Sequence, residues 1–492
     1  MVIIAALYAA AMAVLTAYGL NLLWLAAVFA RHDRLRPGGV TYRKEDVDSR
    51  QIWPIVTVQI PLYNEALVAE RVIDTCAVLQ YARHRLEIQI LDDSDDETTA
   101  IAERCVRRWQ QRGLDIRHIR RTERSGFKAG ALQEGLHMAR GEFIVIFDAD
   151  FVPPVNFLLR ALEGFDRKEI GMVQARWEHL NADDSLLTRV QAYGLDTHFA
   201  LEQYTRNRAG YFMNFNGTAG MWRRECIEDA GGWQSDTLTE DLDLSYRAQL
   251  RGWQFRFFSD MEAPAELPVD LNALRSQQFR WTKGAAETAL KTLGQLWRST
   301  QPGRIKIQGT MHLTAHLVFP ALALVAVLHA PLLTLDDMGR GPGDVYFAVM
   351  GLGLVGFLGF FVAQALTQRQ LYPDWGRRLL FFPLFMAGSM GMAINNTRAI
   401  WQALRGRRSE FVRTPKRGDR TEARRWRATP YADRRIPGIA WLEALLAIWC
   451  AVGLVILIAR EEWAALPFQA AFVTAFAMVS VYNVRLAGLG RS

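Results

Sequence analysis

The chain has 492 residues, 50% of them hydrophobic, and a formal net charge of +7. It is longer than one ordinary domain, and its apolar residues are bunched into segments, which excludes a single soluble globule. The basic excess sits beside those segments, so it fits loops facing anionic lipid and argues against a nucleic-acid partner.

Residues 2–30 contain no charged side chain. Further apolar segments at 312–335, 345–366, 379–401, 436–459 and 463–484 each reach the ~20 residues that a bilayer crossing needs. The first segment has no basic n-region and is too long for a signal peptide. Arg31, Arg34 and Arg36 follow it directly. The positive-inside rule therefore places the next residues in the cytoplasm and the N-terminus outside. A multi-pass protein of the inner or plasma membrane is expected, with one large polar domain inserted after its first helix. Cys76, Cys105, Cys226 and Cys450 are scattered without a Cys-x-x-Cys pair and read as packing residues.

Inside the polar domain, Val56, Val58 and Ile60 alternate with Thr57 and Gln59, and Pro61-Leu62-Tyr63-Asn64-Glu65 follows. A helix carrying Val68, Val72, Ile73 and Leu79 comes next. A second strand over 87–91 ends in Asp92-Asp93-Ser94-Asp95-Asp96, and a helix runs on to about Arg112. A third strand over 116–120 leads to Gly126-Phe127-Lys128-Ala129-Gly130 and a helix to Ala139. Residues 143–147 are an unbroken apolar run, the signature of a strand buried on both faces of a parallel sheet. That run stops at Asp148-Ala149-Asp150. Strand and helix alternate three times before Asp148, which predicts a doubly wound parallel sheet.

Paired carboxylates at the carboxyl end of a central strand lie where open α/β sheets bind ligands. Their hard oxygens suit Mg²⁺ or Mn²⁺; the plain alternative is a polar turn. Lys128, opening a helix between the two acidic strand ends, favours an anion. Carboxylates, a metal and a cation at one sheet edge describe a nucleotide-diphosphate site. No Gly-x-Gly-x-x-Gly follows the first strand and no Gly-x-x-x-x-Gly-Lys-Ser/Thr is present, so a dinucleotide fold and a P-loop are disfavoured.

Beyond the sheet, Met213-Asn-Phe-Asn-Gly-Thr-Ala-Gly-Met221 offers small residues that let a ligand approach the backbone, or forms an ordinary turn. Thr239-Glu240-Asp241 opens a helix carrying Leu242, Leu244 and Tyr246 and taken alone reads as a cap. Gln277-Gln278-Phe279-Arg280-Trp281 is placed before a helix expected over 283–297, amphipathic enough for a membrane surface.

In this order and spacing, Asp92-Asp93, Asp148-Ala149-Asp150, Thr239-Glu240-Asp241 and Gln277-x-x-Arg280-Trp281 resemble the membrane-embedded family 2 glycosyltransferases of the cellulose synthase superfamily. The resemblance covers about 54–416. Phe215-Asn216-Gly217-Thr218-Ala219-Gly220 and Glu228-Asp229-Ala230-Gly231-Gly232-Trp233 are similar to the cellulose-synthase-like A and C branches, which make mannan or glucan backbones, and to their bacterial relatives.

The resemblance implies an α/β GT-A (Rossmann-like) cytoplasmic domain inserted in an α-helical transmembrane bundle. It implies Asp241, with Glu240, as the catalytic pair, and Glu65, Asp92, Asp93, Lys128, Asp148, Gln277 and Arg280 as nucleotide-sugar residues. Asp148 and Asp150 would hold a Mg or Mn ion, and Trp281, Gly217 and Thr218 would meet the acceptor. The expected partners are a UDP-glucose or GDP-mannose type donor, a glycan or glycolipid acceptor and the lipid bilayer, with no nucleic acid and no protein partner named.

Phe411-Val412-Arg413-Thr414-Pro415-Lys416 resembles the family's gating loop, Phe-x-Val-Thr-x-Lys. Phe411, Thr414 and Lys416 match, while Arg413 stands where the family has valine. The Arg- and Lys-dense stretch over 405–435 argues for the cytoplasm, so the apolar segment at 379–401, with Asn395, Asn396 and Arg398 near its end, is expected to be interfacial or re-entrant. The expected division is a transmembrane helix at 1–30, the glycosyltransferase domain at 50–285, an interfacial helix region at 286–311 and two transmembrane helices at 312–366. An interfacial or re-entrant helix with the gating-like loop then occupies 379–435, and two transmembrane helices at 436–484 leave the C-terminus cytoplasmic.

The expected reaction is inverting, processive polymerisation of a β-linked glycan, with translocation through the same chain. A non-processive transfer of one sugar to a lipid acceptor shares the fold and the aspartate and stays open. A transporter or scaffold with a dead domain would predict internal repeats, and none is visible.

Overall fold

A computed structural model describes residues 2–32, 53–351, 353–407, 409, 413–418, 437–463 and 465–488. A seven-stranded sheet runs in the order β3-β2-β1-β4-β6-β5-β7. Its strands are β1 (Val56–Leu62), β2 (Leu86–Asp92), β3 (Asp115–Arg120), β4 (Phe143–Ile146), β5 (Ile170–His179), β6 (Gly220–Arg223) and β7 (Gln254–Ala265).

The first four strands are mutually parallel, as the alternating pattern predicts. β1, β2 and β4 are buried almost end to end, because helices cover both faces. The polar residues of β1 survive this burial by pairing across to β2. Thr57 Oγ1 donates to Glu87 Oε2 at 2.6 Å, and Gln59 Nε2 donates to Gln89 Oε1 at 3.0 Å.

The second half corrects the fully parallel expectation. β6 runs antiparallel to both β4 and β5, while β7 returns parallel to β5. The sheet is therefore mixed. Strand order reverses between β1 and β4, so a crevice opens at their carboxyl ends, between the chain following Leu62 and the chain following Ile146.

A second correction concerns the Gln277–Trp281 motif. The helix expected to begin at 283 spans Leu271–Arg298, so the motif lies inside it. Asp270 starts the helix early, because its Oδ1 accepts from Ala273 N at 2.7 Å. This helix meets the domain closely at Gly284, where an added Cβ would come within 2.5 Å of Thr239 Cγ2. Glycine there holds the motif against the Glu240–Leu250 helix.

The chain also carries long apolar helices. Val2–Arg31, Ala315–Leu335, Val345–Leu371 and Ile439–Ala459 are long and apolar enough to cross a membrane, and Leu466–Tyr482 is shorter and apolar. With its sheet domain this makes the chain a multi-pass membrane protein. Trp375–Gly391 and Ala393–Leu404 form a pair bent by 41°; the break falls directly after Gly391, where helices commonly kink. The second limb packs on the motif helix, and Asn395 Nδ2 donates to Arg275 O at 3.1 Å. The four cysteines are buried and unbonded to one another, as packing residues should be.

Candidate active site

The crevice holds one polar cavity of about 170 Å³. Glu65, Asp93, Asp148 and Asp150, from the chain just beyond β1, β2 and β4, and Lys128, from the Phe127–Met138 helix, line it. Gly217, Glu240 and Asp241 close one side, and Gln277, Arg280 and Trp281 reach in from the motif helix. Thr414 and Lys416 come from the far end of the sequence. Phe411 lies outside the described residues.

Lys128 is the hub. Its ammonium donates to Asp148 Oδ1 at 2.6 Å and to Gly217 O at 2.9 Å, and lies 3.9 Å from Glu240 Oε1. Burial works against its charge, but Asp148 and Glu240 outweigh that and hold its pKa above the ordinary lysine value. Gly217 has φ +79°, and an added Cβ would lie 3.1 Å from Asp241 Oδ2 and 3.4 Å from Lys128 Nζ. Glycine thus supplies both the left-handed backbone and the clearance between the lysine and the aspartate.

Asp241 sits in the first turn of the Glu240–Leu250 helix. Burial, then the neighbouring Glu240, pushes its carboxyl up to about 7, with Lys128 pulling the other way. A carboxylate poised near neutrality can take a proton and release it. Burial likewise raises Glu240, against Lys128. Burial lowers Arg280 from the usual guanidinium value, against the attraction of Glu240 and Asp148. Arg280 also donates to Thr414 Oγ1 at 3.5 Å.

Two expected residues stand behind the cavity. Asp92 is 1% exposed and accepts from Ser94 N and from His118 Nε2, each at 2.9 Å. Burial raises its carboxyl, yet these bonds prevail and leave it below the usual range. Thr218 is fully buried, and its Oγ1 accepts from Asp148 N at 2.9 Å. Each fixes the backbone that presents its neighbour.

Asp148 and Asp150 are hard carboxylate ligands, and each already holds an ammonium. Lys128 sits on Asp148, and Lys416 Nζ lies 2.7 Å from Asp150 Oδ2. Among the described residues no group of three His, Cys, Asp or Glu side chains gathers as a metal cage. A small carboxylate set that takes cations, with room for phosphate oxygens, fits Mg²⁺ or Mn²⁺ rather than a soft metal.

Several side chains escaped the sequence reading. Arg121 clamps Asp93 with Nε at 3.0 Å and Nη2 at 2.5 Å, and also donates to Ser125 O and Phe127 O. The Arg124 guanidinium lies 3.3 Å over the Tyr63 ring. Residues 413–418 form a strap across the crevice. Arg413 Nη2 donates to Glu65 Oε2 at 2.8 Å, and Glu266 Oε2 accepts from Arg417 N at 2.8 Å and Gly418 N at 3.3 Å. Burial raises Glu65 to about 7 despite Arg413. The clustering of acids after β1, β2 and β4 was the only available signal for these arginines.

A mixed sheet with an acidic carboxyl edge at its switch point, facing a helix that starts Glu-Asp, is the GT-A type of glycosyltransferase fold. The model of the glycosyltransferase-like family 2 matches residues 54–284. Glucomannan 4-beta-mannosyltransferase 1 of Oryza sativa subsp. japonica is 34% identical over 385 residues, covering 75% of this chain and 70% of that one. The chain therefore belongs to glycosyltransferase family 2. Glucomannan 4-beta-mannosyltransferase 2 of Arabidopsis thaliana is 43% identical over 252 residues, 50% of this chain and 47% of that one. The chain thus spans about half the length of the first curated relatives it matches. Among solved structures, the mannosyltransferase PcManGT from Pyrobaculum calidifontis, in complex with GDP-Man and Mn²⁺, shares the fold. Its TM-score is 0.54 at 21% identity, over 82% of this chain and 99% of that one.

Proposed function

We propose that the chain is an inverting hexosyltransferase that takes a sugar from a nucleotide donor of GDP-mannose or UDP-glucose type and builds a β-linked mannan or glucan. The observation that carries this reading is Asp241, its carboxyl raised to about 7, facing Lys128 across Gly217 in the cavity that also holds Asp148, Asp150 and Arg280. The relatives' names, glucomannan 4-beta-mannosyltransferase, and the GDP-Man and Mn²⁺ of the fold neighbour support the donor class and the cation.

In the transfer, the acceptor hydroxyl oxygen attacks the anomeric carbon as that carbon's bond to the diphosphate oxygen breaks. The hydroxyl proton passes to Asp241, and the nucleoside diphosphate leaves with the bonding electrons. One displacement inverts the anomeric centre. Lys128 and Arg280 place positive charge where the diphosphate gains negative charge, and Arg280 can grip two oxygens at once. Asp148 and Asp150 would hold Mg²⁺ or Mn²⁺, which when bound supplies Lewis-acid charge to the leaving group. Glu65 and Asp93 bound the nucleotide end, with Asp92 fixing the turn that presents Asp93. Trp281 offers an apolar face to the acceptor sugar, beside Gln277 and the Gly217-Thr218 turn.

The strap at 413–418 is assigned as the inner part of a gating loop that includes Phe411. It reaches both Asp150 and Arg280. We place the 50–285 domain, the 286–311 region and the strap on the cytoplasmic face of an inner or plasma membrane, where nucleotide sugars are made. Residue 2 then lies outside and residue 488 inside. The segments at 1–30, 312–366 and 436–484 cross, and the bent pair re-enters.

Transfer of one sugar to a lipid acceptor is the competing reading. It is favoured by an apolar cavity that adjoins Trp281. The deciding experiment incubates purified protein with labelled GDP-mannose and UDP-glucose in Mg²⁺ or Mn²⁺, then sizes the product and digests it with linkage-specific hydrolases. Polymer released by a β-mannanase or β-glucanase supports the first reading; product that never exceeds one sugar overturns it.

A further inference from the structure

Lys283 lies on the motif helix, two residues beyond Trp281. Among the described residues it is the one lysine whose side chain is wholly buried. An ammonium is costly to take out of water, and a well-packed apolar side chain in its place often holds a fold as firmly. Its contacts give the charge a use. Nζ donates to Arg407 O at 2.5 Å and to Ser409 Oγ. Both acceptors follow the end of the Ala393–Leu404 helix, where Gly406 turns the chain at φ +63° and Arg407 N donates to Gln402 O at 3.1 Å. A cation suits a helix C-terminus. Four residue steps, at most ~14 Å of chain, lead from Ser409 to Arg413, where the strap across the crevice begins. Lys283 therefore grips the root of the strap.

The same ammonium lies 3.7 Å from Glu287 Oε1, one turn further along the helix. Glu287 Oε2 accepts from Leu238 N at 2.9 Å. Leu238 lines the polar cavity and stands directly before Thr239-Glu240-Asp241. Gly284, beside Lys283, lets the helix pack directly on Thr239. We propose that Lys283 and Glu287 are positioning residues that couple two events: the seating of the strap on Asp150 and Arg280, and the placing of the turn that presents Asp241. The proposal rests on the transferase reading above and adds a link between its donor side and its base. A plain anchor for the Ala393–Leu404 helix would need only Arg407 O and Ser409; the carboxylate of Glu287 is what carries the contact on to Leu238.

Coupling is tested by perturbing one end and reading the other. Glu287→Gln keeps the size of the side chain and removes the charge that faces Lys283, at the Asp241 end. Ser409→Ala removes one hydroxyl at the strap end. The full chain is assayed in phosphatidylcholine nanodiscs with GDP-mannose or UDP-glucose as donor. Glu287→Gln should raise donor KM as well as lower kcat, and Ser409→Ala should lower kcat as well as raise donor KM, each by ~3- to 10-fold, the scale of one lost hydrogen bond. Lys283→Met should do both more strongly. Effects that stay at the altered end, kcat alone for Glu287→Gln and KM alone for Ser409→Ala, overturn the proposal. Hydrogen exchange of the donor-free protein reads the same link without turnover. The amides of Arg417 and Gly418 are bonded to Glu266, and that of Leu238 to Glu287. Glu287→Gln should speed exchange in peptides carrying 417–418, and Ser409→Ala should speed it at 238, while β1, β2 and β4 stay protected. Faster exchange confined to the altered end overturns the proposal, and so does loss of protection throughout the sheet, which would make the pair an anchor of the whole fold. Crossed exchange effects in a protein that transfers sugar from neither donor would keep the coupling and remove the transferase reading instead.

Discussion

Lys416 and Asp150 meet at 2.7 Å, ammonium to carboxylate Oδ2, across 266 residues of sequence. The strap therefore puts a fixed positive charge on one of the two carboxylates suited to a divalent ion. A divalent cation binding at Asp150, as proposed above, would have to compete with that ammonium. Lys416→Gln should tighten Mn²⁺ binding to the nucleotide-free protein by roughly tenfold or more. A unit charge ~4 Å away acts with up to ~4 kcal/mol at an effective dielectric of 20, before solvent screening. Titration followed by the electron paramagnetic resonance of free Mn²⁺ checks it. Unaltered affinity would show that the ammonium is not standing in for the metal. Asp150→Ala should weaken metal-dependent donor binding, and chelation of the wild type should do the same.

Asp241→Asn keeps the size of the side chain and removes the carboxylate proposed as the base. Transfer should fall ~10²–10⁴-fold, with donor affinity within a few-fold of wild type by calorimetry. Because burial lifts this carboxyl to about 7, wild-type kcat should rise with pH through that region as the base deprotonates and level off above it. The same shift weakens the fold. Between the ordinary aspartate range and about 7, the folded state holds a proton that the unfolded chain has released, so stability falls as pH rises through that window. The variant should accordingly gain melting temperature over wild type at pH 8 and little at pH 4.

Arg275 and Glu443 form an ion pair in which both side chains are almost wholly buried, joining the motif helix to the Ile439–Ala459 helix. Arg275 precedes Gln277 by one turn or less on the same helix, so the pair anchors that helix beside the residues that line the cavity. Arg275→Met alone should cost ~3–5 kcal/mol, because it leaves a buried carboxylate unpaired. Arg275→Met with Glu443→Leu should recover most of that loss. Melting of both variants in detergent measures the difference, and equal destabilisation by single and double changes would dismiss the pair as a stabilising lock.

The first half of the sheet was legible because parallel strands buried on both faces read as apolar runs, and their acidic carboxyl ends fall on one edge by topology alone. β5, β6 and β7 were not. β6 is four residues long and opens on a glycine, while β7 carries Asp260 and Glu262 among its apolar positions. The motif helix was placed 12 residues too late because Ser276, Gln277 and Gln278 dilute its periodicity, although Asp270 marks its start. Asp148, Asp150 and Lys128 could be gathered from position, since each follows a strand or opens a helix, whereas Asp241 taken alone reads as a helix cap and is gathered only through the family resemblance. The Arg121–Asp93 and Arg413–Glu65 contacts could not, because pairing between residues distant in sequence leaves no periodic trace, even though both arginine side chains are largely buried.

The membrane placement can be read from one loop. A tag inserted between Gly418 and Pro437 should be reachable only from the cytoplasmic side, as should a reporter fused after Ser492. The bent pair, Trp375–Gly391 with Ala393–Leu404, would then enter and leave on the same face. Labelling of the loop tag from outside would make that pair a full crossing.

Trp281 separates a polymerase from a single-transfer enzyme. It lines both the polar cavity and the apolar one, and on the reading proposed above it would meet the acceptor. A polymerising enzyme has to retain its product between additions, and a flat aromatic face suits this: sugar C–H surfaces are apolar, and stacking tolerates sliding. Loss of the face should cost on the order of 1–3 kcal/mol, taking bases stacked on aromatics as a loose analogue. Trp281→Ala should therefore cut polymer yield ~10-fold or more while donor hydrolysis changes little, and Trp281→Phe should be milder. An enzyme that adds one sugar to a lipid holds its acceptor by the chain, so its product stays one sugar long in wild type and variant alike. Product lengths under excess donor, with and without the substitution, decide between the two: a wild-type product that never lengthens ends the polymerising reading.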